Sequence, residues 1–283
     1  MRISEALFQH RAIRRTAFAA LSVCSIAPAA LALEPQTGAA TVAIAPIFKD
    51  PRAALQQGLK GYQAGDFDAS VKALKYAADG GQPLARWKLG QMYATGDGVP
   101  SDHTLAYQYF SQIIRAYDDD RTDPRERSIV ASAFVSVGVY NLSGIPNSPV
   151  RRNPERALEM FHFAATNFGD ANAQFQLARM YLDGNGVKRD SRVGMQWLNS
   201  AADKNHVEAQ AVLGNLLFAS KSSPAARRAR GLMYLILARE AASARPEERW
   251  IVDHYEEAMA VASEADKQRA HEELGAFLKR RAR

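Results

Sequence analysis

The 283-residue chain holds a single cysteine, Cys24. A chain that has shed its first residues therefore has none, which excludes disulfides, thiolate catalysis and cysteine-ligated zinc. Other signatures of chemistry are missing as well. His254 and His271 are each followed by two glutamates, but neither has the second histidine four residues away that a zinc helix requires. There is no phosphate loop, no dinucleotide glycine fingerprint and no G-x-S-x-G elbow. Asp97 lies between two glycines without the run of oxygen ligands that calcium needs. These absences point away from an enzyme, and away from a metal, an organic cofactor or a small-molecule substrate.

Long apolar runs are also absent, with one exception near the start. Arg2, Arg11, Arg14 and Arg15 precede the stretch TAFAALSVCSIAPAALA, which closes on Ala30-Leu31-Ala32. A basic start, a short apolar middle and an A-x-A end describe a secretory signal peptide over residues 1–32, cleaved after Ala32. Three alternatives stay open: an uncleaved membrane anchor, a lipoprotein box ending at Cys24, and a twin-arginine signal at Arg14-Arg15. Half of the net charge of +6 belongs to this segment. Residues 33–50, rich in Ala, Pro and Thr, read as a flexible leader. A cysteine-free exported chain fits a periplasm, and nothing else in it is apolar enough for an integral membrane protein.

What the chain does have is repetition. Asp66, Asp102, Asn153 and Asp190 align as N-caps of a helix, followed seven and eight positions later by Ala73-Leu74, Tyr109-Phe110, Met160-Phe161 and Trp197-Leu198. The preceding helices align on Leu89-Gly90, Val137-Gly138, Leu177-Ala178 and Leu213-Gly214. Ala85, Ala133, Ala173 and Ala209 each lie four residues earlier. Glycines at 96, 98, 144, 184 and 186 mark the turns between paired helices. One such pair cannot bury its apolar face alone, so copies must stack into an all-α solenoid.

The runs Leu89-Gly90-Gln91-Met92-Tyr93, Gly96-Asp97-Gly98-Val99 and Asp102 resemble the Sel1-like repeat, a relative of the tetratricopeptide repeat. Leu177 to Tyr181, Gly184-Asn185-Gly186-Val187 and Asp190 repeat the pattern, ending on Trp197. The resemblance implies a right-handed α-α solenoid over residues 51–242. Two further helices, over residues 243–283, carry Trp250, Ile251, Tyr255 and then Leu274, Phe277 and Leu278. They are expected to cap its open end, followed by a frayed basic tail.

Two segments break the repeat. Residues 117–127 form an insertion in which Asp118, Asp119 and Asp120 stand beside Arg121 and Arg125. At 220–230 a serine replaces the turn glycine, and Arg227, Arg228 and Arg230 cluster. Both are candidate partner-contact or protease-sensitive segments. The arginine cluster is too small for nucleic-acid binding and reads as a solvated face. His162 and His103 are expected to face water, and His206 to sit at a junction between units.

The DPRAALQQGLKGYQAGDF start, the enlarged third unit, the GNGVKRD turn and the two extra helices are similar to a narrower family. This is the group of periplasmic Sel1-repeat regulators of exopolysaccharide synthesis found in rhizobia and related alphaproteobacteria. The resemblance implies a negative regulator without catalysis. It would bind the periplasmic domain of a sensor histidine kinase, hold a two-component pathway for exopolysaccharide and motility off, and be released by a periplasmic protease under acid stress. A scaffold for polysaccharide export is the alternative.

The export reading makes a direct expectation. Protein released from the periplasm should begin at Leu33, and its intact mass should lack the first 32 residues. A mass that retains Met1, or carries lipid on Cys24, would select one of the alternatives.

Overall fold

In a computed structural model, residues 48–120, 122–219, 224–242 and 246–282 are described. They contain α-helices and no strand. Five consecutive helix pairs run along the chain. They are α1 (Pro51–Gln63) with α2 (Phe67–Asp79), α3 (Pro83–Thr95) with α4 (His103–Ala116), and α5 (Arg127–Ser143) with α6 (Pro154–Asn167). The last two are α7 (Ala171–Asp183) with α8 (Ser191–Asp203) and α9 (Val207–Ala219) with α10 (Ala225–Ala241). A 3-10 turn, Pro246–Glu248, leads to α11 (Arg249–Val261) and α12 (Glu264–Arg281). Each helix packs on the next through α11, and α12 lies against α10. This is a solenoid of α-helical hairpins closed by two further helices.

The local chemistry of each pair explains its boundaries. The second helix begins on a side-chain oxygen that takes up otherwise unpaired backbone donors. Asp66 accepts from the Ala69 amide, Asp102 from Thr104 and Leu105, Asn153 from Arg156, and Asp190 from Arg192 and Val193, at 2.9–3.1 Å. The first helices of units two and four end on Gly96 and Gly184, at φ 76° and 72°, a left-handed conformation that side chains resist. Two residues on, Gly98 and Gly186 have a different task. A Cβ on either would lie 2.2 Å from the Phe67 ring or 2.6 Å from Pro154, so these turns rest directly on the preceding unit. Asp97, at the same turn, accepts a hydrogen bond from the Tyr62 hydroxyl, and Lys88 lies 3.2 Å from the Tyr62 ring centre. Gly144 occupies the third turn at φ 72°, beyond which the Ile145 amide donates to Val150 across a short loop.

Packing within a pair depends on small residues facing large ones. Ala85, Ala133, Ala173 and Ala209 are fully buried. At Gly90 an added Cβ would meet the Phe110 ring at 2.4 Å, and at Gly138 it would meet the Phe161 ring at 2.5 Å. The ring of each second helix therefore lies on bare backbone of the first. In unit five both helices contribute a glycine, and a Cβ on Gly214 would sit 2.7 Å from the Gly231 carbonyl.

Three details differ from the sequence reading. Trp197 is only half-buried, like the equivalent Tyr109, although Ala73 and Met160 show that the slot itself can be closed off from solvent. Its ring meets the exposed His162 edge-on at 6.4 Å. The basic tail is helical through Arg281, whose guanidinium lies over the Phe277 ring and bonds Asn205. Phe48, within the expected leader, is buried and packs 5.3 Å from Tyr76, so the chain docks before α1 begins.

Phe110 and Trp197 should therefore respond differently to truncation. Phe110→Ala should cost about 3–5 kcal/mol, as for a buried ring lost from a core. Trp197→Ala should cost about 1–2 kcal/mol, in proportion to its partial burial. Urea midpoints of the two variants check the order.

Candidate partner-binding surfaces

The insertion after α4 is tied down at both ends by aromatic rings. Tyr117 stands edge-on to Phe134, Phe163 and Phe168 at 5.6–6.3 Å, and Phe134 stacks on Phe163 at 4.5 Å. Arg127, the first residue of α5, lies 5.3 Å over Phe168. Between these anchors Asp118, Asp119 and Asp120 are exposed. Asp119 accepts from the Tyr117 hydroxyl at 2.6 Å and pairs with Arg127 at 3.0 Å. The described cation that Asp119 meets is thus Arg127 and not Arg125; Arg121 lies outside the described residues.

Asp119 responds to acid in a window set by the sign of its shift. The hydrogen bond from Tyr117 holds the Asp119 carboxyl below its usual range; burial opposes it, and the Arg127 charge and hydrogen bond reinforce it. A carboxylate lowered in this way stabilises the fold above about pH 4 and loses that contribution only below it. Mild acid leaves it unchanged. Glu126, at the end of the insertion, is shifted the other way, its carboxyl raised by burial and by the Asp123 charge.

His206, a side chain of a type that titrates nearer neutrality, lies where Asp170 lies one unit earlier, just before the first helix of a pair. Asp170 caps α7 by accepting from the Ala173 amide at 2.8 Å. His206 does the same for α9 with a ring nitrogen, Nδ1 accepting from the Ala209 amide at 3.2 Å. The proton must then sit on Nε2, which donates to Asn172 Oδ1 at 3.0 Å. The imidazole stacks 4.6 Å from Phe175 and its side chain is only 8% exposed. Burial pulls its pKa below the ordinary histidine value, and the charges of Glu208 and Asp170 oppose this without reversing it. Protonation at Nδ1 removes the cap and places a cation at a helix N-terminus, where the dipole repels it. His103, expected in water, is half-buried instead, with Nδ1 3.1 Å from the Tyr140 hydroxyl. Burial and the Asp102 charge push that phenol up to about 12.

The arginine cluster does not form one solvated face. Arg228 pairs with Asp266 at 3.0 Å and lies 4.8 Å over Phe218, tying α10 to the start of α12. Burial of Asp266 disfavours its charge, but hydrogen bonds from Ser263 and Arg228 still hold its carboxyl below the usual range. Arg230 donates to the Tyr234 hydroxyl at 3.2 Å, which donates to Asp203 at 2.6 Å. Arg227 and Arg230 share a cavity of about 870 Å³ with Arg280, Arg281, Asp203 and Glu273. Sequence reasoning set these two basic segments apart, because only the packing of α12 on α10 joins them. Residues 220–223, where the turn glycine is replaced, lie outside the described residues.

Among the described residues no group of His, Cys, Asp and Glu could hold a metal ion, and no helix is long and apolar enough to cross a membrane. Fold and surfaces together define a helical-repeat protein of the kind that works through protein contacts. The Sel1 repeat matches at residues 83–118, 135–167 and 171–206. A Sel1 repeat protein from Oxalobacter formigenes superposes with a TM-score of 0.59 at 23% identity, over 81% of this chain and 88% of that one, which shows the shared fold.

The more specific likeness is to two curated proteins, each described as an exopolysaccharide production negative regulator. The one from Rhizobium meliloti (strain 1021) is 35% identical over 77% of this chain and 78% of its own length. The one from Rhizobium leguminosarum bv. viciae is 35% identical over 75% and 77%. The chain belongs to this family of Sel1-repeat regulators.

The His206 cap gives the fold a stability that depends on pH. A histidine whose folded pKa is lowered stabilises fully above its unfolded value, near pH ~6.5, and loses that contribution as pH falls toward the lowered value. Wild type should lose about 1 kcal/mol between about pH 7.5 and 5.5, the usual worth of an N-cap. His206→Asn keeps a neutral acceptor for the Ala209 amide and should flatten that slope. Urea midpoints at both pH values measure it, and equal slopes for the two proteins would exclude His206.

Proposed function

We propose that this protein is a negative regulator of exopolysaccharide production that acts by holding another protein. The observation carrying this reading is the 35% identity to two regulators so described, spread over more than three quarters of their length. An α-solenoid is suited to the role, since stacked hairpins present extended faces on which a partner can lie.

The finer reading has three parts. The segment before residue 33, outside the described residues, exports the chain to the periplasm. There the solenoid binds the sensing domain of a membrane histidine kinase and keeps a two-component pathway for exopolysaccharide and motility off. A periplasmic protease then removes the regulator, cutting first in the 117–127 insertion or the 220–230 junction. Contacts in a solenoid run mainly between neighbours, so a junction can open while the rest stays folded. The His206 cap supplies an acid-sensitive contact at the N-terminal end of α9, the helix whose C-terminal end leads into the second of these segments.

Immobilised mature protein should retain the purified kinase periplasmic domain, and a strain lacking the regulator should overproduce exopolysaccharide. Limited proteolysis should place the first cuts in the two named segments and run faster at about pH 5.5 than at neutral pH. Retention of an export pore or synthase component instead of the kinase would move the reading to an envelope scaffold.

A further inference from the structure

One half-buried cation in the middle of the solenoid makes no close ion pair among the described residues. Arg179, on α7, is half-buried, yet it makes no hydrogen bond or ion pair within the described residues. Its guanidinium lies 5.9 Å from the Phe175 ring. Burial disfavours its charge, and Asp183, one turn on, opposes that from beyond ion-pair distance. Leaving an arginine partly desolvated and unpaired is unfavourable, because its five donors lose water without gaining an acceptor.

The repeat itself does not require an arginine there. The equivalent slots in units two, three and five, one residue after the Leu-Gly or Val-Gly pair, hold Gln91, Val139 and Asn215. The charge is peculiar to unit four.

Arg179 opens into a cavity of about 290 Å³ between units three and four. Arg152 lies on the same cavity, held by a 2.6 Å hydrogen bond to Asn185 Oδ1. That bond engages one nitrogen of a guanidinium that is otherwise exposed. Ser143 and Gln176 add neutral polar groups at the wall, and Leu142 and Met180 make an apolar floor. The one acidic group lining the site is Asp183, against the two arginines.

We propose that this cavity receives a carboxylate from an acidic segment of a partner protein, with Arg179 as the bidentate ligand and Arg152 as the second. A planar guanidinium matches a carboxylate through two parallel N–H···O bonds, and partial exclusion of water strengthens the pair. The volume, just under that of a small-ligand pocket, suits one acidic side chain together with part of its backbone. The floor is aliphatic and offers no free aromatic face for a sugar ring to stack on, which favours a peptide over an acidic polysaccharide. The inference rests on the reading of the protein as a binder of other proteins, and it places one point of contact at the junction of units three and four.

The test does not need the kinase. A labelled peptide of alternating glutamate and serine and its glutamine counterpart are titrated against the full mature chain, at about 20 mM salt, where electrostatic contacts are least screened. The glutamate peptide should bind at least about tenfold more tightly. Arg179→Met should abolish the preference, whereas Arg156→Met, which removes an exposed arginine paired with Glu159, should leave it intact. Arg179→Met should also unfold at no lower temperature than wild type, because it removes an unpaired cation. Equal binding of the two peptides would overturn the proposal, as would a preference that survives Arg179→Met. A marked loss of stability in that variant would assign the guanidinium to the fold and have the same effect. Binding of an oligogalacturonate through Arg179, with no peptide preference, would assign the site to an acidic sugar and overturn it too. Kinase retention that persists in a protein failing the peptide assay would leave the regulatory reading standing and remove only this contact.

Discussion

The close approach of two helices at a residue without a side chain is the constraint on which the rest of the architecture depends. Where Gly90 faces Phe110 and Gly138 faces Phe161, an aromatic ring lies on exposed helix backbone. Dispersion at that distance is dense, and no other residue can stand at the glycine without moving the ring. The distance between paired helices follows from it. So does the position of the turn that joins them, which has to be short and left-handed at Gly96 and Gly184. Once the turn is placed, Gly98 and Gly186 bring it onto the previous unit, so spacing inside a hairpin is passed on to spacing between hairpins.

Much of this architecture was legible in the sequence, because it is written in residue types with a single physical use. Caps such as Asp102 and Asp190, and glycines at fixed offsets from them, have few alternatives at such positions. The slots for Ala85 and Phe110 could be aligned without knowing which face they covered. Pattern is silent, however, on how much room a slot offers. Trp197 and Ala73 share a position, and only three-dimensional packing shows that the larger one reaches the rim.

Functional groups were less legible, for a related reason. His206 reads as a junction histidine, and its role emerges only when its ring nitrogen is seen accepting a backbone amide where unit four uses an aspartate. A register comparison with Asp170 is the one signal in the sequence that could have found it. Arg228 and Arg227 are adjacent in the chain but have unrelated surroundings, one clamped to Asp266 and the other exposed. Arg179 carries no motif at all. Its interest comes from the absence of a partner, which composition cannot report.

The described ends of the array differ in what lies on them, and this bears on how such a protein can change over generations. At the carboxyl end α11 and α12 cover the face of α9 and α10 on which another hairpin would stack. At the amino end Phe48 is folded back onto Tyr76. A gene duplication that appended a hairpin to the carboxyl end would find its docking face already occupied. Copies are more readily gained or lost in the interior, between residues 83 and 206, where the matched repeats lie. Growth of the array is therefore blocked at its carboxyl end, and its diversity falls to the interior junctions.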